Sequence, residues 1–297
     1  MNRIALGTVQ FGITYGIANN TGQISRSESE LMIAYAASCG VSVIDTAVAY
    51  GESEARLGVI GVKDFKVVTK LPSIPNDIEI TDVRNWVRNE FFGSLGRLRV
   101  ARVYGLLLHN PDQLLGRFGE SLVAALLEIK AQGLIDKLGV SIYDPEELEN
   151  IHRILQIELV QAPFNLIDRR LHTSGWLKRL KELGVEVHTR SAFLQGLLLM
   201  SEASIPSRFG RWSDLLHIWH QWLAQHNISA LQACLSFVLS YPEINQVVIG
   251  ADSVLHLKQI IAATSGKIDL ELPNLTCEDL NLIDPSRWKN NHLEILI

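Results

Sequence analysis

Short β-branched runs alternate with helix-period segments along most of this chain, and that alternation restricts the fold more than any other feature. Residues 41–47, 65–71, 103–109, 136–142, 159–165, 185–192 and 246–250 read as strands. Between them, residues 27–39, 82–95, 120–132 and 145–155 repeat apolar side chains at three and four positions, with Gly40, Gly133 and Gly184 placed as stops. Ser27 and Glu30 have capping-box spacing at the first of these helices. A helix after each strand returns the chain to the same end of the sheet, so the strands pair in parallel. Adding residues 4–7 brings the strand count to eight, which closes an α/β (β/α)8 TIM barrel and leaves no exposed edge. An open doubly wound sheet is the alternative. The 297 residues, 47% hydrophobic, suit one large core, so residues 1–297 are expected to form a single domain.

The repeat stretches between the seventh and eighth strands. There, residues 205–212 read as an irregular excursion followed by helical segments at 215–225 and 230–239, and so long an insertion points to a lid or clamp. From Asn274 onward one or two helical turns and an exposed tail are expected.

Charge excludes some partners. Twenty-seven basic against 32 acidic side chains give a formal net charge of −5, and no dense Lys/Arg block is present to track a phosphate backbone. Nucleic acid is therefore not expected as a partner. No apolar run approaches the roughly 20 residues that span a bilayer, and the N-terminus reads as a strand rather than a leader, so a cytoplasmic location without membrane contact is expected. Cys39, Cys234 and Cys277 are odd in number and far apart in apolar or helical surroundings, which predicts buried thiols and neither a disulfide framework nor a thiolate metal site. No metal site of any kind is expected, because Asp45 and His109 are the only strand-end residues of the ligating type.

Three of the strands end in polar chemistry: Asp45 leads to Tyr50, Lys70 closes the string Val67-Val68-Thr69-Lys70, and His109 follows Leu106-Leu107-Leu108. Strand ends are where barrel enzymes keep their catalysts. Reducing a carbonyl by hydride needs a proton for the developing alkoxide, and a phenol supplies it best when a nearby cation lowers its pKa from about 10. The expectation is that Lys70 acts in this way on Tyr50, Asp45 holds the ammonium, and a neutral His109 donates to the substrate oxygen. Singly, each residue reads equally well as packing or structural ion pairing. Together they point to an oxidoreductase.

The same residues resemble the aldo-keto reductase superfamily, and the likeness runs through nearly the whole chain. Leu6-Gly7-Thr8 resembles the family's opening strand, Asp45-Thr46-Ala47-Val48-Ala49-Tyr50-Gly51 its central signature, and Lys70 and His109 its lysine and histidine. The resemblance implies a barrel with an N-terminal strand turn beneath it, an NADP or NAD cofactor across the C-terminal face, a small-molecule carbonyl substrate, and Tyr50 as general acid. It also implies cofactor contacts at Gly7, Thr8, Asp45, Ser141 and Gln161, then at Arg190, Ser191, Phe193, Gln195 and Gly196, and finally at Gly250, Ser253, His256 and Gln259.

Two positions depart from the family pattern. Ile142 replaces an amide, with Asn165 as an indirect substitute, and Arg190 stands where an aromatic stacks on the nicotinamide. A guanidinium plane also stacks on rings, and its charge disfavours the oxidised cofactor, which favours an alcohol or aldose dehydrogenase direction. At the adenosine loop Asp252 suits ribose hydroxyls and hence NAD, whereas Ser253, His256 and Lys258 would suit the phosphate of NADP. Arg169, Arg170, Arg190, Arg208 and Arg211 suggest a basic rim for a sugar-derived or anionic carbonyl, with Phe11, Tyr15, Phe193 and Trp212 as apolar walls. A cofactor-sensing regulatory subunit with little turnover is the alternative from another functional class.

Overall fold

The computed structural model describes residues 2–19, 22–266 and 270–288. Eight parallel strands close into a barrel in sequence order: β1 Ile4–Gly7, β2 Val43–Asp45, β3 Lys66–Leu71, β4 Val103–Leu108, β5 Ile135–Ser141, β6 Leu159–Pro163, β7 Glu186–Arg190 and β8 Gln246–Ile249. The β1–β8 pairing, with Leu6 opposite Ile249, completes the ring. Each strand lies within the stretch expected for it or one residue outside. The helices are α1 Val9–Gly12, α2 Arg26–Ser38, α3 Ser53–Ile60, α4 Val83–Leu98, α5 Gly119–Ala131 and α6 Glu147–Ile154. They continue with α7 Arg170–Thr173, α8 Trp176–Glu182, α9 Ser213–His226, α10 Ala230–Leu239, α11 Val254–Ala263 and α12 Leu280–Ile283.

The barrel has two apolar layers. Ala5, Val43, Val68, Leu107 and Leu159 fill the lumen, while a much larger cluster joins the outer strand faces to the helices. At the N-terminal mouth Glu186 accepts from the Tyr104 hydroxyl at 2.6 Å and pairs with Lys137 at 2.9 Å and His188 at 2.7 Å. That ionic plug closes the end opposite the chemistry.

Helix α3 was not legible as an amphipathic repeat because its buried positions are Ser53, Glu54, Leu57 and Gly58. The Glu54 carboxylate accepts from Thr69 at 2.6 Å, Ser94 at 2.5 Å and Arg97 at 2.8 Å, tying α3 to β3 and α4. A buried charge is tolerated where its acceptor sites are filled in this way.

Several sequence expectations need correction. The cap of α2 is Ser25, whose side chain accepts from the Glu28 amide at 3.2 Å, while Ser27 lies inside the first turn. Ile4–Gly7 is the first barrel strand, as expected, and among the described residues no strand precedes it. Of the three thiols Cys234 alone is fully buried, and all three are free. After Asn274 the chain forms the one or two helical turns expected, α12 and the short 3-10 turn Pro285–Arg287; residues 289–297, where the expected tail continues, lie outside the described residues. Among the described residues no helix is long and apolar enough to cross a membrane.

The excursion after β7 is ordered by its aromatic residues. Trp219 on α9 donates to the Leu198 carbonyl at 3.0 Å and stacks with Trp222, which donates to Glu271 at 3.1 Å. Helix α10 begins with a complete capping box, Ser229 with Gln232. The Trp219 bond thereby ties α9 to the 193–200 segment beside the barrel mouth.

Candidate active site

Strand periodicity delivers the site residues. Val43, Val68, Leu107 and Leu159 point into the lumen, so two residues further on Asp45, Lys70, His109 and Gln161 also point inward, now at the C-terminal mouth. By the same alternation Arg190 follows the inward-facing Glu186 and His188 of β7.

Tyr50 reaches this mouth from the β2–α3 loop, which glycine pairing holds against β1 and α1. A Cβ on Gly12 would fall 1.6 Å from the Tyr50 carbonyl, and Gly51, at φ 54°, approaches the Gly12 carbonyl. Hydroxyls complete the anchor: Ser53 donates to the Thr8 carbonyl at 2.9 Å, Thr8 donates to the Asp45 carbonyl at 2.9 Å, and the Thr46 and Ser53 hydroxyls are 3.0 Å apart.

The four expected catalytic residues come together. Lys70 Nζ donates to Asp45 Oδ1 at 2.7 Å and to the Thr46 carbonyl at 2.9 Å. It lies 5.1 Å from the centre of the Tyr50 ring, and the Tyr50 and His109 rings meet edge to face at 5.8 Å. Gln161 Nε2 donates to the other Asp45 oxygen at 2.6 Å, so that carboxylate is bound from both sides.

The electrostatics differ from expectation in one respect. Burial, then the Asp45 charge, push the Tyr50 phenol above its ordinary range, and Arg190 is the cation that pulls the other way. The Lys70 ammonium is committed to Asp45 and Thr46, and its own pKa is lowered by burial against the attraction of Asp45. Tyr50 is thus a protonated phenol at neutral pH. Burial, with Lys70 and Arg190 adding to it, holds the His109 imidazole at about 3, so it is neutral across the physiological range.

A cavity of about 580 Å³ opens from Asp45 and Tyr50 at the barrel mouth and runs outward to α11. Gly7, Thr8 and Gln161 line it at the strand ends; Arg190, Ser191, Phe193, Gln195 and Gly196 line it after β7; and Gly250, His256 and Gln259 line it beside α11. Lys70 and His109 stand behind Asp45 and Tyr50 without lining the cavity, Ser141 is buried beside Gln161 in the β5–β6 register, and Ser253 caps α11 by accepting from His256 at 3.1 Å.

The 191–196 turn carries an unusual backbone. Ser191, Leu194 and Gln195 have φ of 62°, 47° and 52°, although none is glycine. Such strain concentrates at ligand-holding segments, where successive amides can cradle an anion. Gly196 follows at φ 96°, and a Cβ there would meet the Ala18 Cβ at 2.8 Å. Gln195 also donates to the Tyr15 hydroxyl at 3.2 Å, so the chain around residues 15–18 lies across this turn. The buried Oε1 atoms of Gln10 and Gln195, both on cavity-lining residues, have no partner among the described residues. An elongated cavity with strained backbone and unmet polar atoms fits a polar, phosphate-bearing ligand such as a nicotinamide dinucleotide.

Most of the expected basic rim is taken up by ion pairs and ring contacts within the fold. Arg170 pairs with Asp168 and Asp144, Arg211 pairs with Asp279, Arg169 packs over Phe237, and Arg208 packs over Phe209 and Trp288. Arg190 is the one arginine of the expected rim that lines the cavity; it lies 4.2 Å over Tyr143 and donates to the Ile142 carbonyl at 3.1 Å. Asn165 is occupied with the Ser191 carbonyl and the amides of Ile167 and Asp168. Phe11 is core and Trp212 packs with Phe209, leaving Tyr15 and Phe193 as walls. Gln10 and Asn19 line the cavity without having been singled out, because nothing local marks residues of the β1–α2 connection as facing a ligand.

The comparison with known families agrees with this geometry. The model of the aldo/keto reductase family matches residues 3–272. The chain belongs to that family. As an aldo/keto reductase it is an oxidoreductase, and its relatives are distant. An NADH-specific methylglyoxal reductase of Escherichia coli strain K12 is 24% identical, over 89% of this chain and 90% of its own length. The oxidoreductase sirO of Leptosphaeria maculans is 29% identical across 58% of this chain, a match that spans 53% of that relative. Among solved structures, an aldo-keto reductase of Bacillus halodurans in its holo form superposes with a TM-score of 0.69 at 19% identity, covering 89% of this chain and 87% of that one. A glycerol dehydrogenase of Gluconobacter oxydans gives 0.68 at 20% identity, covering 90% and 88%.

Proposed function

We propose that this aldo/keto reductase reduces an aldehyde or ketone to the alcohol with a nicotinamide dinucleotide, NADH or NADPH, and that Tyr50 is the proton donor. A dinucleotide held in this cavity would supply the hydride for the carbonyl carbon. The observation that carries the reading is a protonated Tyr50 on the cavity wall, with a neutral His109 against its ring and the buried Lys70–Asp45 pair beside it.

Each side chain has a defined part. Tyr50 passes its hydroxyl proton to the carbonyl oxygen as that oxygen becomes an alkoxide, and the ammonium of Lys70 stabilises the phenolate left behind. His109, neutral and edge to face with the Tyr50 ring, orients the phenol toward the carbonyl without competing for its proton. Gln161 and Thr46 hold the Asp45–Lys70 pair at its 2.7 Å separation. Ser191, Gln195 and Gly196 would hold the phosphates and Arg190 would lie against the nicotinamide. The similarity to a methylglyoxal reductase supports a small, polar carbonyl as substrate.

Oxidation of NADH and NADPH with small aldehydes and ketones tests this reading. Tyr50→Phe is expected to lower kcat/KM by about 10²–10⁴, with dinucleotide affinity retained; equal rates in both proteins remove Tyr50 from the mechanism. A second reading, the same site run as an alcohol dehydrogenase, is favoured by Arg190, whose charge opposes the oxidised nicotinamide and so draws the bound equilibrium toward NADH. Turnover of alcohols with NAD+ faster than the reverse reaction would establish that direction.

A further inference from the structure

The cavity leaves the barrel mouth at Tyr50 and ends beside the first turn of α11, lined there by Asp252, His256 and Gln259. Because the reactive ring must lie against Tyr50, the adenosine half of a dinucleotide occupies the α11 end. NADP differs from NAD only by a phosphate on the adenosine ribose, so this end decides between them.

A helix N-terminus with free amides is the ordinary seat for such a phosphate. Here the protein has filled it with its own carboxylate. Glu28, in the first turn of α2, accepts from the Val254 amide at 2.5 Å, and Ser253 Oγ accepts from the His256 amide at 3.1 Å. Asp252 adds a second carboxylate on the cavity wall, with Asn19 Nδ2 at 3.3 Å from Oδ1. The nearby Lys258 lies 5.5 Å over the Tyr35 ring, on the α2 side, leaving His256 as the basic residue of the cavity wall at this end.

We infer that this chain selects NADH over NADPH, with Glu28 as a specificity-determining residue that closes the α11 N-terminus to a ribose phosphate and Asp252 as the acceptor for ribose hydroxyls. A dianionic phosphate at this end meets two carboxylates, whereas an unmodified ribose supplies the hydroxyl donors that Asp252 can accept. The inference rests on the reading that the cavity holds a nicotinamide dinucleotide.

Titration calorimetry of the full chain with ADP-ribose and 2′-phospho-ADP-ribose isolates the subsite from the chemistry, and NADH and NADPH titrations repeat it with whole cofactors. Wild type is expected to bind the unphosphorylated probe at least about tenfold more tightly, ~1.4 kcal/mol, with the preference shrinking as salt is added. Glu28→Gln keeps an acceptor for Val254 and removes the charge, so the ratio is expected to fall several-fold with ADP-ribose affinity unchanged. Asp252→Asn, close in shape, serves as the second variant and is expected to narrow the ratio by weakening the unphosphorylated probe as well. Tighter binding of the phosphorylated probe by wild type, or a ratio unmoved by either variant, overturns the inference. Binding of neither probe and neither cofactor overturns the dinucleotide reading itself, and the inference with it.

Discussion

Replacing Lys70 by methionine isolates the Lys70–Asp45 pair from the rest of the site. The Lys70 side chain is 0% exposed and that of Asp45 4%, and their charged atoms are 2.7 Å apart. At an effective dielectric near 20, the attraction at that distance is about 6 kcal/mol. Even so, Lys70 sits below its ordinary pKa because the cost of burying the ammonium outweighs what Asp45 returns. A buried pair of this kind contributes little net stability as a whole, whereas truncating one partner strands the other. Lys70→Met leaves the Asp45 carboxylate with the Gln161 amide at 2.6 Å as its side-chain donor, and breaking a buried pair in this way costs about 3–5 kcal/mol. Asp45→Asn strands the ammonium at a similar cost. Since the penalty is that of an uncompensated charge, the double variant Lys70→Met with Asp45→Asn should lose no more than either single one, giving a coupling energy of about 3 kcal/mol in the cycle. Urea unfolding followed by both tryptophan fluorescence and far-UV circular dichroism measures all four proteins. A single-variant loss below about 1 kcal/mol, or strictly additive losses in the double, would refute the view of these residues as one electrostatic unit.

Two further outcomes follow from local geometry. Gly196→Ala places a Cβ 2.8 Å from that of Ala18 at a φ of 96° and should destabilise the fold by about 1–3 kcal/mol while weakening dinucleotide affinity; wild-type behaviour in urea and in NADH titration would show that the 191–196 turn is not held by its contact with residue 18. His109, neutral in the fold down to about 3 against an ordinary 6.5, binds its proton more readily in the unfolded chain between those values, so its contribution makes stability fall as pH drops from 6.5 toward 3, and His109→Gln should flatten that part of the urea-midpoint profile; an unchanged slope would place the titration elsewhere.

Much of the barrel was legible because a strand's side chains alternate by two and a helix's by 3.6, and both periods survive in the order of residues. That is why Asp45, Lys70, His109 and Gln161 were locatable: each lies two residues beyond a lumen-filling apolar side chain, at the end of a recognisable strand. Helix α3 escaped because its inner face is built from Ser53, Glu54 and Gly58, whose burial depends on partners from β3 and α4. The basic rim was misread for a related reason: Arg170 and Arg211 are charges in the sequence, but in the fold they are spent on Asp168, Asp144 and Asp279.

The order of residues alone thus determined a closed βα ring and the set of polar groups at its mouth, since those follow from local periods that any segment carries within itself. Which groups act on which was decided only by tertiary structure. Tyr50 feels Arg190 and Asp45 more than the Lys70 cation expected to acidify it, and Glu28 reaches the first amide of a helix 226 positions away. Charge and hydrogen bonding fall off over a few ångströms of space, and no period within a segment reports which distant segment will arrive there.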